Sequence, residues 1–141
     1  AKMRVIDHLG DCSSRLIKSN DLYGDCGTTI GFLFDSERQA RQFIKLTAER
    51  ALHCSTPADS GRHIYSNWEV VMNRRGAHSP LLNPFTLPEN RGSKVKYTAG
   101  MCPQTLDVLK RTVFLGVSPS WTATDTKRIA QICKQISESV T

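Results

Sequence analysis

Hydrophobic and polar positions along the chain change their period several times, and each change marks an element. From Thr28 to Phe34 they alternate, with Ile30, Phe32 and Phe34 on one face and Thr29, Gly31 and Leu33 on the other. That two-residue period predicts a core strand. The period then lengthens. Ser36-Glu37-Arg38-Gln39 has the form of a capping box, and Ala40, Phe43, Ile44, Thr47, Ala48, Ala51 and Leu52 follow on one stripe at helical spacing. Arg38, Arg41, Gln42, Lys45, Glu49 and Arg50 take the opposite side. Near the other end, Thr112 to Val117 is a second apolar strand, stopped by Ser118-Pro119. Thr122 to Asp125 then caps a final helix that buries Ile129, Ile132, Cys133, Ile136 and Val140.

The remaining segments are less regular. Met3, Val5, Ile6 and Leu9 form a short amphipathic turn broken at Gly10-Asp11, and Ser13 to Ser19 is extended around Leu16 and Ile17. Ser55 to Gly61 is a loop and Arg62 to Tyr65 a short extended piece. Ser66-Asn67-Trp68-Glu69 is a second capping box, opening a short helix with Trp68, Val71 and Met72 inward. His78 to Asn90 holds Pro80, Pro84 and Pro88 with little periodicity, and a stretch that long without structure suggests a binding or partner surface. Ser93 to Thr98 is a strand or extended connection, and Pro103 starts a helix with Leu106 and Leu109 inward. The sum is a single domain over residues 1–141, a small sheet covered by helices.

Charge adds little direction. Nineteen Lys and Arg against 13 Asp and Glu give +6, scattered without a block of like charge, so a solvated basic surface is expected. No apolar run approaches membrane-spanning length, and no run of signal-peptide length follows the first residues; a soluble, cytoplasmic protein without membrane contact is expected. Cys12, Cys26, Cys54, Cys102 and Cys133 are odd in number and contain no Cys-x-x-Cys pair, which points to reduced thiols rather than to disulfides or zinc.

The chemistry-bearing motifs are mostly missing. There is no phosphate-binding Gly-rich loop, no dinucleotide fingerprint, no nucleophile elbow and no histidine pair at helical spacing. Neither a catalytic set nor a metal site is expected. The richest polar cluster is Asp59-Ser60-Gly61-Arg62-His63-Ile64-Tyr65-Ser66-Asn67-Trp68, whose acid, cation, imidazole, amide and two aromatics can hold a polar ligand. The same residues also read as a capped helix with Trp68 filling the core and His63 bonded to backbone.

Three segments resemble the carboxy-terminal small domain of the DegT/DnrJ/StrS sugar aminotransferases, fold-type I enzymes that use pyridoxal phosphate. They are Gly27 to Asp35 with the Ser36 to Leu52 helix; Asp59 to Trp68 with Asn83-Pro84-Phe85; and Cys102 to Val117 with Pro119 and the Thr122 to Ile136 helix. The resemblance implies an α/β fold of the α+β sandwich type, a small and mainly antiparallel sheet covered by helices. It also implies a domain that closes the cleft over a keto-sugar or nucleotide-sugar and is not competent alone. His63 matches a substrate-facing histidine of that family, and Tyr65 and Asn67 join it by neighbourhood. No cofactor is expected in this chain, because the aldimine lysine and phosphate contacts of the family lie in a large domain whose segments are not among these residues. The implied partners are that large domain and a homodimer mate, whose absence would leave apolar surface bare.

Two other classes stay open. One is a stand-alone small α/β binding or regulatory module; within it single-stranded nucleic acid is disfavoured, since only Phe32 and Phe34 lie on a clear strand without interleaved basic residues. The other is a small enzyme with a thiol or histidine centre.

Overall fold

The structure, a computed structural model, describes residues 1–62, 64–76 and 79–140, with the side chains of all but Ser13 and Ser14 among them. Five helices and three strands are found among these residues: α1 (Lys2–His8), β1 (Thr29–Leu33), α2 (Glu37–Ala48), β2 (Cys54–Ser55), α3 (Glu69–Met72), α4 (Pro103–Arg111), β3 (Thr112–Gly116) and α5 (Ala123–Ser139). This is a small α/β domain with an antiparallel sheet.

The last strand stands in the middle. The sheet order is β1-β3-β2, with Thr29 opposite Gly116, Phe32 opposite Val113 and Cys54 opposite Leu115. Because β1 and β2 both run antiparallel to β3, they are parallel to each other, a split β-α-β unit joined by α2. The register puts Ile30, Phe32, Val113, Leu115 and Cys54 on one face, and all five are buried. Helices cover that face, α1 packing on α5, α5 on α2, and α2 on α4. Phe43 of α2 stacks at a tilt against both Phe32 and Phe34, with ring centroids 5.5 and 5.0 Å away.

Local chemistry explains the boundaries. The Ser36 hydroxyl accepts the Gln39 N–H while Gln39 reaches back to the Ser36 N–H, and Thr122 and Asp125 repeat this reciprocal cap on α5. The expected continuation of α2 to Leu52 fails at Ala51, which takes φ 57°. The Leu52 N–H bonds to the Thr47 carbonyl and the Ala51 N–H to the Ala48 carbonyl, a Schellman closure. Ala48 and Ala51 therefore lie in solvent instead of on the buried stripe, while Leu52 turns back into the core.

Three further expectations need correction. The segment expected to be extended from Ser13 begins inside a 3-10 turn, Gly10–Arg15, and only Leu16 pairs with the sheet, opposite Phe32. Of the two readings for Ser93 to Thr98 the strand fails, and the segment is an exposed connection outside any strand. The Ser55 loop hides β2 and a 3-10 turn, Pro57–Ser60. Along α5, by contrast, Ile129, Ile132, Cys133, Ile136 and Val140 are all buried as their spacing requires. No helix among the described residues is long and apolar enough to cross a membrane.

Candidate functional site

The polar cluster of the sequence lies in a long insertion between β2 and α4, made of short 3-10 turns and α3. From Tyr65 to Arg111 no described residue is buried. Past the buried Thr56, Pro57 and Ile64, the insertion is held by polar ties and surface ring contacts in place of a core. Thr56 caps the Pro57 turn by accepting the Asp59 N–H at 3.2 Å, and its hydroxyl donates to the Asp59 carboxylate at 2.9 Å. Arg41 of α2 grips that same carboxylate and holds its pKa below the ordinary range, which pins the start of the insertion to α2.

Tyr65 ties the two ends together. Its hydroxyl donates to the Ala99 carbonyl at 2.9 Å and accepts the Cys102 N–H at 3.0 Å, joining the turn at 65–67 to the approach of α4. Asn67 is exposed in the same turn, and its backbone N–H bonds to the Ile64 carbonyl at 3.1 Å. His63, the third residue that the resemblance selected, lies outside the described residues. Tyr65 and Asn67 thus share one 3-10 turn, at the outer surface of the insertion.

Trp68 departs from both readings of the cluster that bury it. Ser66 does not cap a helix; Tyr65–Asn67 is a 3-10 turn, and α3 starts at Glu69 with Trp68 at its N-cap and no side-chain cap. A four-residue helix has no full inward face, so Trp68 stays 52% exposed with its indole N–H 3.4 Å from the Arg62 carbonyl. Farther along, Arg74 sits at φ 52° with its guanidinium 5.6 Å from the Phe85 ring centre, and Phe85 meets Tyr97 edge-on at 5.7 Å. These side chains border a shallow cavity of about 250 Å³. Asn83 supports it, donating to the Arg74 carbonyl at 3.2 Å and accepting the Phe85 N–H at 3.1 Å.

Sequence reasoning missed a larger groove. The sheet face away from the helices is left partly bare: Ile17 lies over Gly31 and Thr112 is buried, while Leu33 and Phe114 stand partly in solvent on it. Beside this face, Ile6, Leu16, Ile17, Leu22, Ile30 and Gly31 line a cavity of about 600 Å³ together with Lys2, Lys18 and Ser19. Gly31 is the signal that was available: a Cβ there would lie 2.9 Å from Ile17 Cδ1 and 3.3 Å from Phe114, so glycine lets the Ile17 side chain settle on β1 without shifting. The Ile17 N–H bonds to the Gly31 carbonyl at 2.9 Å.

The thiols divide in two. Cys12, Cys54 and Cys133 are buried, and burial pushes all three above the ordinary thiol range. Cys26 and Cys102 are exposed; hydrogen bonding to Thr28 lowers the Cys26 pKa. Among the described residues no group of three or more His, Cys, Asp or Glu side chains could hold a metal ion.

Pyridoxal phosphate is held through an amine that burial or neighbouring charge has activated. None of the eight lysines is buried, and Lys2 is committed to Asp25 at 2.6 Å. These exposed or half-buried side chains do not fit the Schiff-base role. Compared with protein-family models and with curated proteins, the sequence matches none.

Proposed function

We propose that this chain serves as the small domain of a pyridoxal-phosphate-dependent sugar aminotransferase, closing the cleft over a keto-sugar or nucleotide-sugar in the cytoplasm. The observation that carries this reading is the Tyr65 tie. One hydroxyl bonded to both Ala99 and Cys102 folds the long insertion across the approach to α4, which turns a chain without a core into a standing wall. Such a wall excludes water and orients a sugar while a cofactor held by a separate large domain supplies the electron sink. Tyr65 and Asn67 would face the sugar, with His63 beside them in sequence. The partly bare sheet face supports the same reading, since a domain that works against a large domain or a homodimer mate keeps apolar surface for contact.

The test is a titration of isotope-labelled protein with a nucleotide-sugar, followed through backbone amides. The expected result is a shift at residues 65–67 that Tyr65→Phe weakens, with no transamination and no borohydride-trapped lysine adduct in the presence of pyridoxal phosphate. Turnover of an amino donor by the chain alone overturns the reading, as does a silent 65–67 turn at millimolar ligand.

A second reading, a stand-alone binding or regulatory module, is favoured by the 600 Å³ groove.

A further inference from the structure

We infer that the groove beside the partly bare sheet face is a binding site for a small ligand with an apolar body and one anionic head, the chemistry of a medium-chain carboxylate. The inference does not rest on the aminotransferase reading. The cavity of about 600 Å³ falls within the size range of small-molecule sites, roughly 300–1,000 Å³. Its lining is mostly apolar and comes from four separate parts of the chain: Ile6 of α1, Leu16 and Ile17 of the edge segment, Leu22 of the following turn, and Ile30 and Gly31 of β1. Ile30 is buried at its floor, whereas Ile17 and Leu22 stand about half exposed, so an occupant would remove their apolar surface from water.

Charge selects the head group. Two lysines line the cavity and, among the described residues, no carboxylate does. Lys2 is already neutralised by Asp25 at 2.6 Å, and that carboxylate also accepts the Gly27 N–H at 2.7 Å. Lys18 is exposed and has no acidic partner among the described residues. One apolar cleft with one uncompensated ammonium matches one apolar tail with one anion. A second copy of the chain fits less well, because it would bring another Lys2 and Lys18 against a cavity whose described lining already carries two lysines and no carboxylate.

The experiment uses hexanoate, octanoate and decanoate below their micellar concentrations, with 1-decanol as the uncharged counterpart. Binding is read by calorimetry and by backbone amide shifts. Affinity is expected to rise roughly fourfold with each added methylene, with shifts centred on Ile17, Leu22 and Gly31 and with decanol at least tenfold weaker than decanoate. Lys18→Glu should weaken decanoate at least tenfold. Lys94→Glu, the same charge change in the insertion, should leave binding unchanged, and unaltered circular dichroism checks that both variants fold. Leu22→Glu, which places a carboxylate in the cleft, should abolish binding. Equal binding of decanol, indifference to Lys18→Glu, or shifts confined to the insertion overturns the inference. So does a dimer in solution whose interface covers Ile17 and Leu22.

Discussion

Two halves of this molecule solve the same problem differently. The sheet with α1, α2 and α5 is held by burial, with Phe32, Phe34 and Phe43 fully enclosed and meeting ring to ring. The insertion from Tyr65 to the start of α4 has no buried described residue and is held by single hydrogen bonds, such as those of Tyr65 and Asn83, and by the surface contacts of Phe85 with Arg74 and Tyr97. Burial is non-directional and additive over area, so the first half tolerates small local errors. The second depends on particular atoms, each exposed to competition from water. A surface meant to adapt to a ligand or partner is better built the second way, because little else must move with it.

The contrast is sharpest in the thiols. Cys12, Cys54 and Cys133 belong to the first half, and Cys26 and Cys102 are exposed outside it. Alkylation near neutral pH is expected to modify two thiols in the native protein and five in denaturant, with rates differing by about a hundredfold or more. Mass mapping of the adducts reads it, and native modification of Cys133 would erase the distinction. Next in size, Phe43→Ala should cost roughly 3–5 kcal/mol, since it empties the space between Phe32 and Phe34; a urea melt measures it. Ser36→Ala removes one side of the α2 cap and should cost about 1 kcal/mol by the same melt.

Acid probes the join between the halves. The Asp59 pKa is lowered by Arg41, so its contribution is complete above the unfolded-state value near 3.8 and disappears as pH falls through the lower folded-state value. The ion pair is about half exposed, so its worth is under about 1 kcal/mol. Asp59→Asn should therefore lower the melting temperature slightly at pH 7 and flatten its fall below pH 4. The smallest effect belongs to Trp68→Ala, expected within about 0.5 kcal/mol of the parent protein because half of the ring is already in water. A loss of several kcal/mol there would mean that the insertion has a core after all.

What could be read from the sequence follows the same division. β1, α2, β3 and α5 announce themselves because burial on one face imposes a period on the residues, as at Ile30, Phe32 and Phe34 or at Ile129, Ile132, Cys133 and Ile136. The insertion imposes no period. Trp68 looked like a core residue because its size suggests burial, and Ser66 looked like a cap because its spacing from Glu69 fits one. Neither inference survives where the helix is a single turn. β2 escaped notice because two residues carry no pattern, and its existence depends on β3, far along the chain. Of the site, the sequence marked the 65–67 turn, but the partners of Tyr65 at Ala99 and Cys102 are a tertiary fact. The groove needed the pairing of Leu16 with Phe32 before its walls could be placed.

One consequence follows from the place of β3. It is the middle strand of the sheet and the last of the three to be synthesised. Until Thr112 to Gly116 leaves the ribosome, neither β1 nor β2 has its ladder partner, and Phe32 of β1 lacks its cross-strand neighbour Val113. A nascent chain halted inside the insertion thus exposes unpaired strand edges and apolar surface, the features that make folding intermediates aggregate. Once β3 arrives, the intervening loop is already long, and doubling it would cost only about 0.6 kcal/mol of closure entropy. Lengthening the insertion is thereby nearly free for the sheet.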